Sequence, residues 1–262
     1  LKPGGFIILP SDDALDPVLA FATKGSFRVG RTQCLGLPEL LRLDLPQRLA
    51  TARQASVTEQ ENVANRWIRL ASVSVTAHSP LFDAYPVALW ETASWDQVDE
   101  YAISTPIPGY PSGCVATAMG IIIRYHEYPA SATVGGQYTV DGYPQNPPPI
   151  QANYDYTLMP LQLSWQSPFV EQKAISDLLF HCGRAVGQDY ALSGSGIPTA
   201  EAEQRLTRAY RNTFGYGDVS WISGQNSTWY TTLKSELNAR RPVQLVITGG
   251  EVGHSIVCDG WG

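Results

Sequence analysis

The run Gly113-Cys114-Val115-Ala116-Thr117-Ala118-Met119, continuing to Tyr125-His126-Glu127-Tyr128-Pro129, constrains this chain more than any other stretch. Val115, Met119, Ile122, Ile123 and His126 recur at i, i+4, i+7, i+8 and i+11, so the spacing predicts a helix over Cys114 to Tyr128 with one face in a core. Pro129 is expected to stop it. Cys114 then occupies the first turn, where free amide N–H groups and the helix dipole favour an anion. The thiolate is therefore the expected form. A helix cysteine is more often a packing residue than a nucleophile. Gly113, which would let a substrate backbone approach, and the small side chains of Ala116, Thr117 and Ala118 shift the reading toward a nucleophile.

A histidine with a comparable setting lies 140 residues further on, in Gly253-His254-Ser255-Ile256-Val257-Cys258-Asp259-Gly260. Pro242 to Thr248 and His254 to Cys258 read as adjacent strands joined by a glycine-rich turn. A histidine in a strand is held rigidly, and the glycines before it leave that side open to a cleft. His254 is thus the candidate base for Cys114. His126 shares the cysteine's helix but lies roughly 18 Å away along its axis, too far to serve. His181 sits in a helical pattern and reads as structural, and His78 is a weaker rival. An acyl transfer also needs donors for an oxyanion: the Cys114 amide N–H is one, and Gln97, in Trp95-Asp96-Gln97, is the side-chain candidate.

Composition narrows the classes. Apolar residues make up 44% of the 262 and charged residues 16%, which suits a packed core rather than disorder. A net charge of −6 with no Lys/Arg cluster argues against nucleic acid as a partner. No apolar run approaches the roughly 18–20 residues that span a bilayer. The four cysteines, Cys34, Cys114, Cys182 and Cys258, lack C-x-x-C spacing, so no zinc site and no other metal or organic cofactor is expected. Leu1-Lys2-Pro3-Gly4-Gly5 holds neither Met nor an apolar signal core, and any export signal is expected to have been removed or not included.

Along the chain, Phe6 to Pro10 and Val18 to Ala22 read as an antiparallel strand pair, followed at Gly25 by a turn. Pro38 to Arg53 is helical by pattern, with Pro46 expected to interrupt it, and Ala64 to Ser72 continues as helix. Thr76 to Trp90 is polar and aperiodic, which places a boundary near Pro80–Pro86. Residues 130–153 read as loop or short hairpin. Helices are expected over Glu171 to Val186, Ala200 to Tyr210 and Thr231 to Ala239, and Ser193-Gly194-Ser195-Gly196 as a flexible loop. Helices first and strands later is the α+β order.

A cysteine at a helix start with a distant histidine in a strand is the layout of a papain-type thiol peptidase. The motifs around Cys114 and His254, together with Trp95-Asp96-Gln97, Asp189-Tyr190, Ser193-Gly194-Ser195-Gly196 and Phe214-Gly215-Tyr216, resemble the streptopain family of bacterial papain-like cysteine peptidases. Gly4 to Leu9 and Gly25-Ser26-Phe27 resemble strands of that family's inhibitory prodomain. The resemblance implies a papain-like α+β fold with a helical part and an antiparallel sheet part, preceded by a β-rich prodomain. Residues 1–82 would be a partial prodomain acting as an intramolecular inhibitor, and 83–262 the catalytic domain. It further implies a secreted bacterial zymogen that cleaves proteins or peptides through Cys114 and His254. Gln97 and the Cys114 amide would bind the oxyanion, and Trp165, Ser193, Gly194, Ser195 and Gly253 would contact substrate. The family's histidine-orienting asparagine would lie beyond Gly262. Asp259, five residues after His254, is expected on the opposite strand face and is no substitute. The alternative is a catalytically degenerate binding or inhibitory homologue on the same scaffold. Cys34 is read as a plain residue of the prodomain.

Overall fold

The computed structural model describes residues 6–22, 37–72, 87–89, 91–224, 227–249 and 252–261. The expectations for Gly25, Cys34, His78 and the Pro80–Pro86 boundary fall outside those residues. The chain divides into two compact units, Leu1–Ala84 and Tyr85–Gly262.

In the first unit, β1 (Phe6–Ile8) pairs antiparallel with β2 (Ala20–Ala22), Ile7 opposite Phe21. Two helices follow, α1 (Leu37–Ala52) and α2 (Val57–Ser72). Helix therefore outweighs strand among the described residues of this unit, where the resemblance led to an expectation of β-rich structure. Pro46 lies inside α1 rather than ending it. A proline removes one N–H donor, and the turns on either side keep theirs. Ser56 and Glu59 form a reciprocal cap at the start of α2: the Ser56 N–H donates to Glu59 Oε2 (2.8 Å) and the Glu59 N–H to Ser56 Oγ (3.4 Å). Trp67 Nε1 donates to the Leu15 carbonyl (2.9 Å) and Arg53 pairs with Asp12 (2.7 Å), so both helices are tied to the β1–β2 connection.

The second unit is built around α3 (Cys114–His126). Ala116, Met119 and Ile123 on α3 are fully buried, as are Ile175, Leu178, Leu179 and Cys182 on α4 (Phe169–Ala185), which packs against it. Each large apolar side chain here contributes about 2 kcal/mol of burial. α3 ends at His126, short of Pro129. Glu127 takes a left-handed conformation (φ 48°) and its N–H returns to the Arg124 carbonyl, closing the last turn.

Residues 130–153, expected as loop or one hairpin, form two nested antiparallel pairs. β4 (Ser131–Val134) pairs with β7 (Ile150–Asn153), enclosing the hairpin of β5 (Tyr138–Val140) and β6 (Tyr143–Gln145). Asp141 and Gly142, both at positive φ, make the two-residue turn. β8 (Asp189–Tyr190) adds to β5 in parallel. α5 (Ala202–Arg208) runs into a π-helical turn over Ala209–Thr213, and α6 (Ser227–Asn238) precedes the long hairpin β9 (Val243–Gly249) and β10 (Val252–Cys258). β3 (Val87–Ala88) pairs with β11 (Gly260–Trp261). β10 packs on α3, and that contact places the site.

Candidate active site

One wall of the site is the N-terminus of α3. Gly113 caps the helix at φ 86°, ψ 143°, and its carbonyl accepts the Thr117 N–H (2.9 Å). Cys114 is the first helical residue and is half-buried. Ser112, two residues before Cys114, is held from two sides. The Ser112 carbonyl accepts Gln188 Nε2 (2.8 Å), and its N–H donates to the Gln97 carbonyl (2.7 Å). The Asp96 carboxylate in turn accepts the Gln97 N–H (2.6 Å). Gln97 is thereby fixed beside the helix start through its backbone.

The glycine before the cysteine serves packing. A Cβ on Gly113 would lie 2.6 Å from both Gln188 Oε1 and the Ser195 carbonyl oxygen. The space expected for a substrate backbone is filled by the protein's own loop.

The other wall is β10. His254 stands opposite Ile247 of β9. Gly253 lets the strand pass close to Thr199, whose Oγ1 would be 2.7 Å from a Cβ there. Ser255, the next residue, is buried, and its backbone N–H is one of the groups that draw the Cys114 thiol toward ionisation. Between the walls lies a cleft of about 260 Å³ lined by Cys114, His254, Gln97, Asp96, Thr92 and Asp259, with Ala118, Ile121 and Ile256 as apolar surface. Asp259, expected on the face opposite His254, lines this same cleft. It lies past the last residue of β10, so strand alternation no longer governs it.

Burial sets the protonation of the two reacting candidates. It pushes the Cys114 thiol up, against the N–H groups of Ser255, Val115 and Cys114 itself that pull it down. It also pushes the His254 imidazole down. Both shifts favour the uncharged forms. Desolvation is the largest influence on the thiol and opposes the thiolate expected from the helix start alone.

The remaining candidates stand outside the cleft lining. Trp165 is 79% exposed in the turn before α4. Ser193 and Gly194 lie in a turn that is pinned rather than loose: the Gly194 N–H donates to the Ala191 carbonyl, the Ala191 N–H donates to Ser195 Oγ, and Asp189 and Gly196 exchange backbone bonds. Ser195 is buried there. His181 is buried against the Tyr154 hydroxyl (3.2 Å), and His126 packs edge-on to Tyr125 and Tyr216. Cys182 is fully buried, and Cys258 is a free thiol near the Gly260 carbonyl. Among the described residues no cluster of three His, Cys, Asp or Glu could hold a metal ion, and no helix is long and apolar enough to cross a membrane.

Sequence reasoning missed Ser112, Gln188, Thr199 and Gln244, all of which brace the site. Only Gln244 left a trace, as the lone amide within the apolar run Val243 to Ile247.

Comparison with known proteins agrees with this architecture. Over 98% of its length the chain is 28% identical to the thiol protease/hemagglutinin PrtT of Porphyromonas gingivalis. Over 99% it is 24% identical to streptopain of Streptococcus pyogenes. It spans 30% of the first relative and 66% of the second, less than two thirds of either. A fragment of Prevotella intermedia prointerpain A superposes over 98% of this chain and 79% of its own, with a TM-score of 0.64 at 22% identity. The active wild-type interpain A cysteine protease of the same organism superposes over 71% of this chain and 82% of its own, with a TM-score of 0.56 at 26% identity. The fold is thus papain-like α+β, and the family profile matches residues 95–262. The chain belongs to the peptidase C10 family.

Proposed function

We propose that the chain is a cysteine endopeptidase in precursor form. The observation that carries this reading is the cleft that brings Cys114, His254 and Gln97 together from three separate segments. Cys114 attacks the scissile carbonyl of a protein or peptide while His254 takes its proton and then returns it to the leaving amine. The Cys114 N–H and the Gln97 side chain bind the oxyanion. Water then hydrolyses the thioester, releasing the acid and the free thiol. Trp165, Ser193, Gly194, Ser195 and Gly253 would meet the extended substrate beyond the deep cleft. Residues 1–82 act as the intramolecular inhibitor and 83–262 as the catalytic domain, in a protein exported by a bacterium.

The test is hydrolysis of a fluorogenic peptide and of denatured casein by wild type and Cys114→Ser, each before and after proteolytic trimming of the N-terminal unit. Wild type is expected to gain activity on trimming and Cys114→Ser to show none. Equal rates for the two proteins would overturn the assignment, and a trimmed wild type that binds peptide without cleaving it would favour a binding homologue.

A further inference from the structure

Two walls that meet through apolar side chains can slide with little energetic preference, whereas hydrogen bonds fix a separation. Gln244 on β9 supplies such bonds from one half-buried amide. Its Nε2 donates to Ser255 Oγ (2.8 Å) and to the Val115 carbonyl (3.3 Å). Its Oε1 accepts the Tyr210 hydroxyl (2.8 Å) from the π-helical turn. Ser255 Oγ passes its own proton to the Leu245 carbonyl (3.3 Å). These partners fix which way the amide faces: turned over, it would set an oxygen against the Val115 carbonyl. Val115 directly follows Cys114, and Ser255 directly follows His254. We propose that Gln244 is a positioning residue that sets the separation of the Cys114 wall from the His254 wall, with Tyr210 orienting its amide.

The inference rests on the reading of Cys114 and His254 as the reacting pair. Its chemical consequence runs through Ser255, which Gln244 holds by its hydroxyl and whose backbone N–H is a donor that favours the Cys114 thiolate. If the walls separate, that donor is withdrawn. The thiol then ionises at higher pH, and the imidazole meets it at a longer distance. The other titratable groups lining the cleft are His254, Asp96 and Asp259, and Tyr210 behind Gln244 is buried with its hydroxyl far from ionising. None of them is altered in the first two variants below.

The experiment measures alkylation of Cys114 by iodoacetamide from pH 5 to 10, mapped by peptide mass, together with peptide hydrolysis after trimming. The proteins are wild type, Gln244→Met and Ser255→Ala. Gln244→Met keeps the length of the side chain and deletes its three bonds. The expected result is an alkylation midpoint raised by about one pH unit and a kcat about ten-fold lower with KM within about two-fold. Ser255→Ala should move both in the same direction by less. A folded Gln244→Met with a lowered Tm whose alkylation profile and kcat overlay wild type would overturn the proposal, leaving the residue merely structural. If Gln244→Met does not fold, Tyr210→Phe and Ser255→Ala carry the same readouts: shifted midpoints support the brace and unshifted ones overturn it. A wild type that hydrolyses nothing while the variants still move the alkylation midpoint would refute the peptidase reading and keep the brace.

Discussion

The carbonyl oxygen of Ser195 lies 2.6 Å from the point a Cβ on Gly113 would occupy, and Gln188 Oε1 lies at the same distance from the other side. The residue before the nucleophile candidate is therefore a glycine on two counts, contact and conformation, since its φ of 86° is one that side chains rarely adopt. Gly113→Ala should destabilise the protein by at least about 2 kcal/mol and displace Cys114. Urea unfolding checks the first effect and iodoacetamide labelling of Cys114 the second. A variant within about 0.5 kcal/mol of wild type would show that the Ser195 turn yields easily.

Gln97 is held by its backbone, so its side chain can be removed without releasing the loop. Gln97→Ala should lower kcat about 100-fold, with KM little changed, as expected for a donor used only when the oxyanion forms. The Ser112 bonds to the Gln97 carbonyl persist in the variant, so its Tm should match wild type. A rise in KM at constant kcat would place Gln97 in substrate binding instead.

His181 makes stability depend on acid. Burial pushes its imidazole from 6.5 to about 4, so the unfolded chain takes up a proton in a range where the native protein refuses it. The sign follows directly: the contribution is complete above pH 6.5 and is lost as pH falls toward 4, amounting to about 3 kcal/mol. His254 and His126 are lowered as well and act in the same direction. Urea midpoints at pH 7 and pH 4.5 for wild type and His181→Gln check this. The variant should lose distinctly less stability over that interval, and equal losses would count against the assignment.

Arg184 is 1% exposed and donates to the carbonyls of Gly136, Pro147 and Pro148. It clips both ends of the segment that carries β5 and β6 to α4. Arg184→Met leaves those carbonyls unpaired and should cost about 3 kcal/mol. Arg184→Lys should rescue little, because a single ammonium cannot reproduce the guanidinium fork. Thermal unfolding measures the cost, and limited proteolysis between residues 136 and 149 should accelerate.

How much of this was legible in the residues depends on how local the signal is. α3 could be read because its apolar stripe is complete within thirteen residues, and β9 and β10 because each is a short, mostly apolar segment beside a glycine-rich turn. The site motifs were legible for the same reason: Cys114, His254 and Gln97 each sit in a short segment whose chemistry is visible, and all three line one cleft. The β4–β7 pair was not, since Ser131 meets Asn153 across twenty-one residues of polar, proline-rich chain that hides the pairing. Pro46 misled because one missing donor is a local loss that a sixteen-residue helix absorbs. The burial that pushes the Cys114 thiol up was not legible, because a helix start can be seen in sequence and desolvation cannot. Gln188 and Thr199 act through contacts with Gly113 and Gly253, and no spacing in the sequence announces such partners.

The cleft's two walls are separated by 140 residues of chain, and this has a consequence for biosynthesis. At ribosomal speeds of about 5–20 residues per second, the helix bearing Cys114 exists for on the order of ten seconds before the strand bearing His254 emerges. Throughout that interval the proposed nucleophile lacks the wall that carries its proposed proton acceptor. A nascent chain is thus spared its own chemistry by the order in which it is made, before any inhibitory segment is called upon.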